Sequence, residues 1–249
     1  MEQVADTQTP DYLIIGNGRV ARHFLHYFSL LNISVSHWHR GLPLTELGDA
    51  ERILVLIRDD AIEDFIRTNL AAKNGTKIHF SGSLVTELAV GAHPLTTFGQ
   101  GLYAREKYEE IFFILDDDAP AFNRLLPGLP NPHARLAAGD KAAYHAHCVM
   151  AANYSCLLWQ KLFDAFESDF ALPPAAAFPL LKQQTENLVT DRKNALTGPL
   201  ARGDSATIAR NLAALAGDDY QKIYQVFVDT YQNQNQGAAA QNRKEKASC

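Results

Sequence analysis

The sequence predicts an α/β fold: a mostly parallel sheet domain followed by an all-helical C-terminal domain. Three observations carry this. In the first half, short apolar runs end in glycines or charges and alternate with helical periodicities, the pattern of βαβ units. From Asp140 onward strand signals vanish, and alanine, leucine and long polar residues take over. Between the halves, Pro127, Pro130 and Pro132 break all periodicity and put a boundary near Leu136 to Asp140. The expected organisation is a sheet domain over 1–138, a helical domain over 139–231 and a disordered tail over 232–249.

Asp11-Tyr-Leu-Ile-Ile15 is the first strand, and it breaks into Gly16-Asn17-Gly18. Val20, Phe24, Tyr27, Phe28 and Leu31 then recur on one face of an amphipathic helix. Asn32 to Arg40 follows as a second strand, closing a βαβ unit in about 30 residues. Within that unit, Gly16-x-Gly18-x-x-Ala21 is the phosphate-cradling fingerprint of a Rossmann-type dinucleotide fold. One glycine turns the chain, the next lets the backbone approach a pyrophosphate, and the small third residue lets helix and strand pack closely. An acid at the end of the second strand would hydrogen-bond the adenosine ribose of NAD. His39 and Arg40 stand there instead, and a guanidinium suits a 2′-phosphate, so NADP is expected over NAD.

Ile53 to Ile57, five apolar residues between charges, reads as a parallel strand buried on both faces. Asp59 or Asp60 is placed to cap the helix that follows. Lys77 to Phe80 is a fourth strand, and Ser81-Gly82-Ser83 turns the chain at the carboxyl edge, where ligands of open α/β sheets bind. His93, at the sheet edge, is placed to line the nicotinamide pocket, with a turn histidine before Pro94 as the equal alternative. Ile111 to Leu115 is another buried strand, ended by Asp116-Asp117-Asp118, a solvated turn ahead of a helix around Ala119 to Leu126. The cofactor-binding set is therefore Gly16, Asn17, Gly18, Arg19, Val20 and Ala21, with His39, Arg40, Ile57, Ser81, Gly82 and His93.

Lys141 to Phe166 holds no proline or glycine and reads as one long helix whose middle, Cys148 to Trp159, is apolar on nearly every side. Such a helix must be buried all round, which a small helical domain cannot do alone, so a homodimer is expected. Helices near Ala175 to Thr190 and Asp219 to Tyr231 follow, and Asp204 is the N-cap of another.

At 47% hydrophobic and 20% charged residues, with a net charge of −5, the chain has the composition of a soluble globular protein without general affinity for nucleic acid or an anionic membrane. The first residues carry acids and no apolar leader, and no apolar run approaches the roughly 20 residues that span a bilayer, so a cytoplasmic location is expected. Three cysteines give no disulfide framework: Cys148 and Cys156 lie eight apart on one helix, about 12 Å along its axis, and buried free thiols are expected. The nine histidines offer no third metal ligand at a suitable spacing, and three consecutive aspartates cannot all face one ion, so no metal is expected. A Gly-x-Ser-x-Gly elbow and a Walker-type Lys-Ser/Thr are both missing, which sets aside hydrolase and nucleoside triphosphate chemistry.

With these residues laid out, the chain resembles a bacterial Rossmann-like family whose C-terminal half is a domain of unknown function. The resemblance rests on Gly16-x-Gly18-x-x-Ala21, Asp59-Asp60-Ala-Ile62, Ser81-Gly82, His93-Pro94-Leu95, Lys141-x-x-Tyr144-His145, Asn153 and Gly198-Pro199-x-Ala201-Arg202-Gly203-Asp204. That family is similar to the group of pyrroline-5-carboxylate reductase, ketopantoate reductase and 6-phosphogluconate dehydrogenase. The kinship, with two-domain NADP-linked enzymes, implies an oxidoreductase but no substrate; the leading expectation is an NADP-dependent enzyme acting on a small carbonyl, hydroxy acid or imine compound in a cleft between the domains. In related dehydrogenases a lysine and an asparagine of the corresponding helix hold or protonate the substrate, which implies Lys141 as proton donor and Asn153 as orienter. His145, one helical turn beyond Lys141, competes for the first role because its ordinary pKa suits neutral pH. Arg58 departs from the pattern, since relatives commonly carry proline there. The rival expectation is a dinucleotide sensor or assembly protein that keeps the fold without turnover.

Overall fold

The computed structural model describes residues 11–247, with side chains described as far as residue 235. Its sheet has seven strands: β1 (Tyr12–Ile15), β2 (Val35–Trp38), β3 (Arg52–Val55), β4 (Thr76–His79), β5 (Val90–Pro94), β6 (Phe113–Asp116) and β7 (His133–Leu136). They lie in the order β2-β1-β3-β4-β5-β6-β7, every pair parallel except β5 with β6. Strand β7 is an addition to the elements legible in the sequence: its exposed first residues, His133 to Arg135, show no apolar run to betray it.

Both faces of the sheet are covered, which is why the strands read as apolar runs rather than alternations. From β1, Tyr12 and Ile14 join Phe24, Tyr27 and Phe28 of helix α1 (Arg19–Leu30) on one face. Leu13 and Ile15 turn the other way, to Ile62 and Ile66 of α2 (Asp59–Asn69). Neither Asp59 nor Asp60 caps α2. The N-cap is Arg58, and both acids sit in the first turn, where the helix dipole favours them. Arg58 has φ −62°, within the range that proline imposes, so its backbone conformation is one that proline could also adopt.

Helices α3 (Arg105–Glu109) and α4 (Phe122–Leu125) are short, the latter well inside the Ala119 to Leu126 expected. The long helix comprises α5 (Lys141–Val149), a π turn (Met150–Tyr154) and α6 (Ser155–Ser168). Within it the Ser155 hydroxyl donates to the carbonyls of Ala151 and Ala152 at 2.6 and 3.2 Å, a side-chain bond that competes with the regular ladder. Its middle is not buried all round in the single chain: Met150, Tyr154 and Leu157 are 56, 53 and 51% exposed. Cys148 and Cys156 are free thiols, and Cys156 is exposed rather than buried. Cys249 lies outside the described residues.

There follow α7 (Phe178–Thr190), α8 (Gly198–Arg202), α9 (Ser205–Ala214) and α10 (Tyr220–Ala247). Asp204 caps α9 as expected, accepting from the Thr207 N–H at 3.0 Å and its hydroxyl at 2.7 Å. Helix α10 continues through 232–247, where polar composition had suggested a disordered tail; long polar residues such as Gln and Lys are good helix formers. The chain divides into two compact units, up to Trp159 and from Gln160 on, so α5 belongs with the sheet rather than with the helical unit that the boundary near Asp140 implied. No helix among the described residues is long and apolar enough to cross a membrane.

Candidate functional site

The strand order reverses between β1 and β3, and a cleft of about 860 Å³ opens at their carboxyl ends. This is where an open α/β sheet binds its ligand. Gly16 is fixed by geometry: its φ is +128°, and a Cβ there would collide with the carbonyl oxygen of Leu56 on the neighbouring strand's extension. Gly18 has ordinary φ (−76°) and nothing within 4 Å of a Cβ position, so its lack of a side chain leaves the mouth of the turn open. Ala21, fully buried, lets α1 pack close to the strand. No side chain caps the N-terminus of α1, so its first-turn N–H groups face the cleft region as anion donors.

Asn17, Arg19, Val20, His39, Arg40 and Ile57 line the same cleft. His39 accepts from the Gly41 N–H at 3.1 Å, which tightens the turn after β2. Arg58 adds a third arginine to the lining, held by Asp60 through both carboxylate oxygens, one at 3.1 Å. The lining holds three arginines and no acid in a chain of net charge −5. Positive charge has been gathered where an anion would lie.

Ser81, Gly82 and His93 are not in that lining. They belong to a polar cluster built on the ends of β4 and β5, with Lys141, Tyr144 and His145 of α5. Strand β5 is staggered so that its Gly91 pairs with His79, the last residue of β4, while Ala92 faces Leu115 across the antiparallel pair. The next residue of β6, Asp116, therefore meets Gly91, whose N–H donates to Oδ2 at 2.5 Å. Lys141 reaches the other oxygen, Nζ donating to Oδ1 at 2.6 Å. Both side chains are largely buried, at 6% and 17% exposed. A Cβ on Gly91 would lie 2.7 Å from the carboxylate and from Nζ, so only glycine admits the pair.

Beside this ion pair stand three imidazoles. His79 accepts the Ser81 N–H on Nδ1 at 3.2 Å, which puts its own proton on Nε2, a buried donor without a protein acceptor. Burial, then the Lys141 charge, pushes its pKa down to about 4. His93 is likewise pushed down to about 4, by burial and then by His145, and its Nδ1 lies 2.7 Å from the Tyr144 hydroxyl. The His145 ring stands edge-on to His93 at 5.8 Å, its Nδ1 buried and unpartnered, packed so tightly on Gly82 that a Cβ there would strike the ring. Burial, with Cys148 second, raises the Tyr144 hydroxyl above its usual range. The Ser81 hydroxyl donates to Asp59, whose neighbour Arg58 lines the cleft, so the β3–α2 turn touches both groups of residues.

Of the three residues expected to do chemistry, Lys141 is committed to Asp116, His145 stands in the cluster, and Asn153 is exposed in the π turn. The widened turn breaks the helical arithmetic that placed Asn153 relative to His145. His79, Asp116 and Tyr144 were missed. The one signal for Asp116 was its position at the end of a buried strand, ahead of a helix whose single early charge is Lys141. No group of three or more His, Cys, Asp or Glu residues among the described ones is placed to hold a metal ion.

Residues 116–230 match the family model described as domain of unknown function DUF2520. The matched stretch opens at Asp116 and takes in Lys141, Tyr144 and His145, so the part of the cluster contributed by β6 and α5 falls within it, and the part on β4 and β5 precedes it. Among solved structures, the chain is similar to a Bacteroides fragilis protein provisionally named an NADP oxidoreductase: 18% identity over 90% of this chain and 98% of that one, TM-score 0.77. A Thermotoga maritima protein is 19% identical over 89% and 98%, with TM-score 0.69. The Myxococcus stipitatus imine reductase, solved with NADP⁺, is 13% identical over 92% and 95%, with TM-score 0.58. At these identities the likeness establishes a shared fold: a Rossmann-like sheet followed by a helical C-terminal part. No curated protein matches the chain.

Proposed function

We propose that this protein is an NADP-dependent oxidoreductase of a small carbonyl, hydroxy acid or imine compound. One observation carries the reading: the cleft over Gly16 and Gly18 is ringed by Arg19, Arg40 and Arg58 and lined by no acid. A pyrophosphate would lie on the uncapped N-terminus of α1, and Arg40, exposed and without an ion-pair partner among the described residues, would take the 2′-phosphate. A bound nicotinamide would supply or accept the hydride. The similar structures named an NADP oxidoreductase and an imine reductase support the same reaction class.

The test is titration with NADPH and NADH, followed by a screen of cyclic imines, 2-keto acids and 3-hydroxy acids at the nicotinamide absorbance. Tight NADPH binding, at least tenfold stronger than NADH, is expected. Arg40→Ala should lower NADPH affinity by a factor of ten to a hundred and spare NADH; equal losses would remove the NADP assignment. The second reading, a dinucleotide sensor without turnover, is favoured by the burial of Lys141 in its ion pair, and NADPH binding without turnover of any compound would select it.

A homodimer is part of the proposal. Leu180, Leu188 and Val189 of α7 and Val226 and Phe227 of α10 are between 50 and 85% exposed in the single chain. Apolar side chains in that number on one unit are a surface for a second copy.

A further inference from the structure

We propose that Tyr144 is the catalytic proton donor of this site and that His93 positions it, a role that resemblance would assign to Lys141. The inference rests on the oxidoreductase reading and names the residue that completes its chemistry.

Lys141 is ill-suited to the task because its ammonium is already spent: Asp116 holds it at 2.6 Å and both side chains are largely buried. Releasing that proton would leave the Asp116 carboxylate buried beside a neutral amine. What Lys141 does is fix the start of α5 against β6. Three residues on, and so on the same side of the helix, Tyr144 is half-buried with its hydroxyl 2.7 Å from Nδ1 of His93. His93 comes from β5, so the contact joins helix to sheet just as Lys141 does, with a group able to lose and regain a proton. The groups facing His93 are His145 and Lys141 from α5, His79 from β4 and Asp59 from the start of α2. Burial and the cationic or potentially cationic neighbours outweigh Asp59, so the ring stays neutral at pH 7. A neutral imidazole with its proton on Nδ1 donates to the phenol oxygen, which leaves the phenol proton to point to Cys148, one helical turn on, or to a bound substrate in its place. His145, with its unpartnered Nδ1, and Gly82 border this pair.

In the reductive direction, with NADPH as the hydride source, the electron pair of the substrate C=N or C=O bond ends on nitrogen or oxygen. The Tyr144 O–H bond breaks as the new N–H or O–H bond forms. The phenolate left behind is held by the Nδ1–H of His93 and recovers a proton from water.

Two readouts decide the matter. Nitrogen-15 NMR of the whole protein at pH 7 should find His93 neutral and protonated on Nδ1, and Tyr144→Phe should move its ring signals. A bare Nδ1, or signals untouched by the substitution, overturns the hydrogen-bond geometry. With an imine or carbonyl compound that the wild type reduces, Tyr144→Phe should lower kcat by a factor of about 10² to 10³, leaving KM and the NADPH Kd within about threefold. His93→Leu should lower kcat and shift its pH profile, and His93→Asn, which restores a donor, should recover part of the loss. A change of less than threefold in kcat for Tyr144→Phe, with NADPH bound normally, overturns the proposal alone. Failure of the wild type to bind NADPH overturns the oxidoreductase reading beneath it.

Discussion

The Lys141 ammonium and the Asp116 carboxylate form an ion pair 2.6 Å long, largely buried, whose second oxygen is taken by the Gly91 N–H. Removing one partner leaves the other as an uncompensated charge. Lys141→Met and Asp116→Asn should each cost about 3 to 5 kcal/mol of unfolding free energy. Because the same contact is lost in both, the double variant should cost less than the sum of the singles. Urea unfolding of the four proteins measures the coupling; additive losses would mean that the pair holds nothing together.

Gly16 and Gly18 should both lose NADPH affinity on substitution by alanine, but only Gly16 should lose stability. At Gly16 the backbone has φ +128° and the new Cβ meets the Leu56 carbonyl, so Gly16→Ala should lower the unfolding temperature and abolish NADPH binding together. At Gly18 the backbone is ordinary and the Cβ meets no protein atom. Gly18→Ala should therefore fold as well as the wild type and still bind NADPH at least tenfold more weakly, because the methyl enters the space that a pyrophosphate would use. Thermal unfolding beside a nucleotide titration separates the two effects; unchanged NADPH affinity in Gly18→Ala would place the phosphates elsewhere.

The glycine turn was legible because its two glycines answer to local rules, a positive φ and an open approach, that sequence spacing records. The place of Arg40 in the cleft lining was legible for a similar reason: it lies two residues past the end of β2, beside the glycine turn. Asp116 was not. Its neighbours Asp117 and Asp118 are chemically identical, and only the antiparallel register of β6 on β5, Leu115 opposite Ala92, decides which of the three meets Gly91 and Lys141. Tyr144 lay within the motif that carried the resemblance, yet its partner His93 is 51 residues away, and nothing local links them. Asn153 failed for a different reason: counting 3.6 residues per turn presumes a regular helix, and a π turn intervenes.

His79 and His93 set the acid limb of stability. Their pKa values are pushed down from 6.5 to about 4 by burial first, so the unfolded chain binds more protons than the folded one between those two values. Their neutral forms stabilise the fold fully above pH 6.5, and that contribution is lost as pH falls towards 4. For each ring, a tenfold difference in proton affinity between the folded and unfolded chain is worth roughly 1.4 kcal/mol. Stability should therefore fall steeply between pH 6.5 and 4. His79→Asn, whose side-chain oxygen can take over the Ser81 N–H, should flatten the slope. Urea midpoints measured across that range check it; an equally steep limb in His79→Asn would assign the protons to other groups.

Val226 and Phe227 of α10 are 62 and 54% exposed, and Val189 of α7 is 85% exposed. A lone chain gains nothing by presenting them to water, whereas a second copy would bury them at about 25 cal/mol per Å². Substituting exposed positions leaves the core untouched, so Val189→Glu and Val226→Glu should fold normally. Each should weaken a dimer, because a carboxylate buried in an apolar interface lacks a partner. Sedimentation should give the wild type the mass of a dimer and the double variant that of a monomer. A wild type that sediments as a monomer at tens of micromolar would contradict the assembly. NADPH affinity measured on the monomeric variant would tell whether the cleft proposed for the cofactor, lined wholly by residues between Gly16 and Phe65 of one chain, works without the second copy.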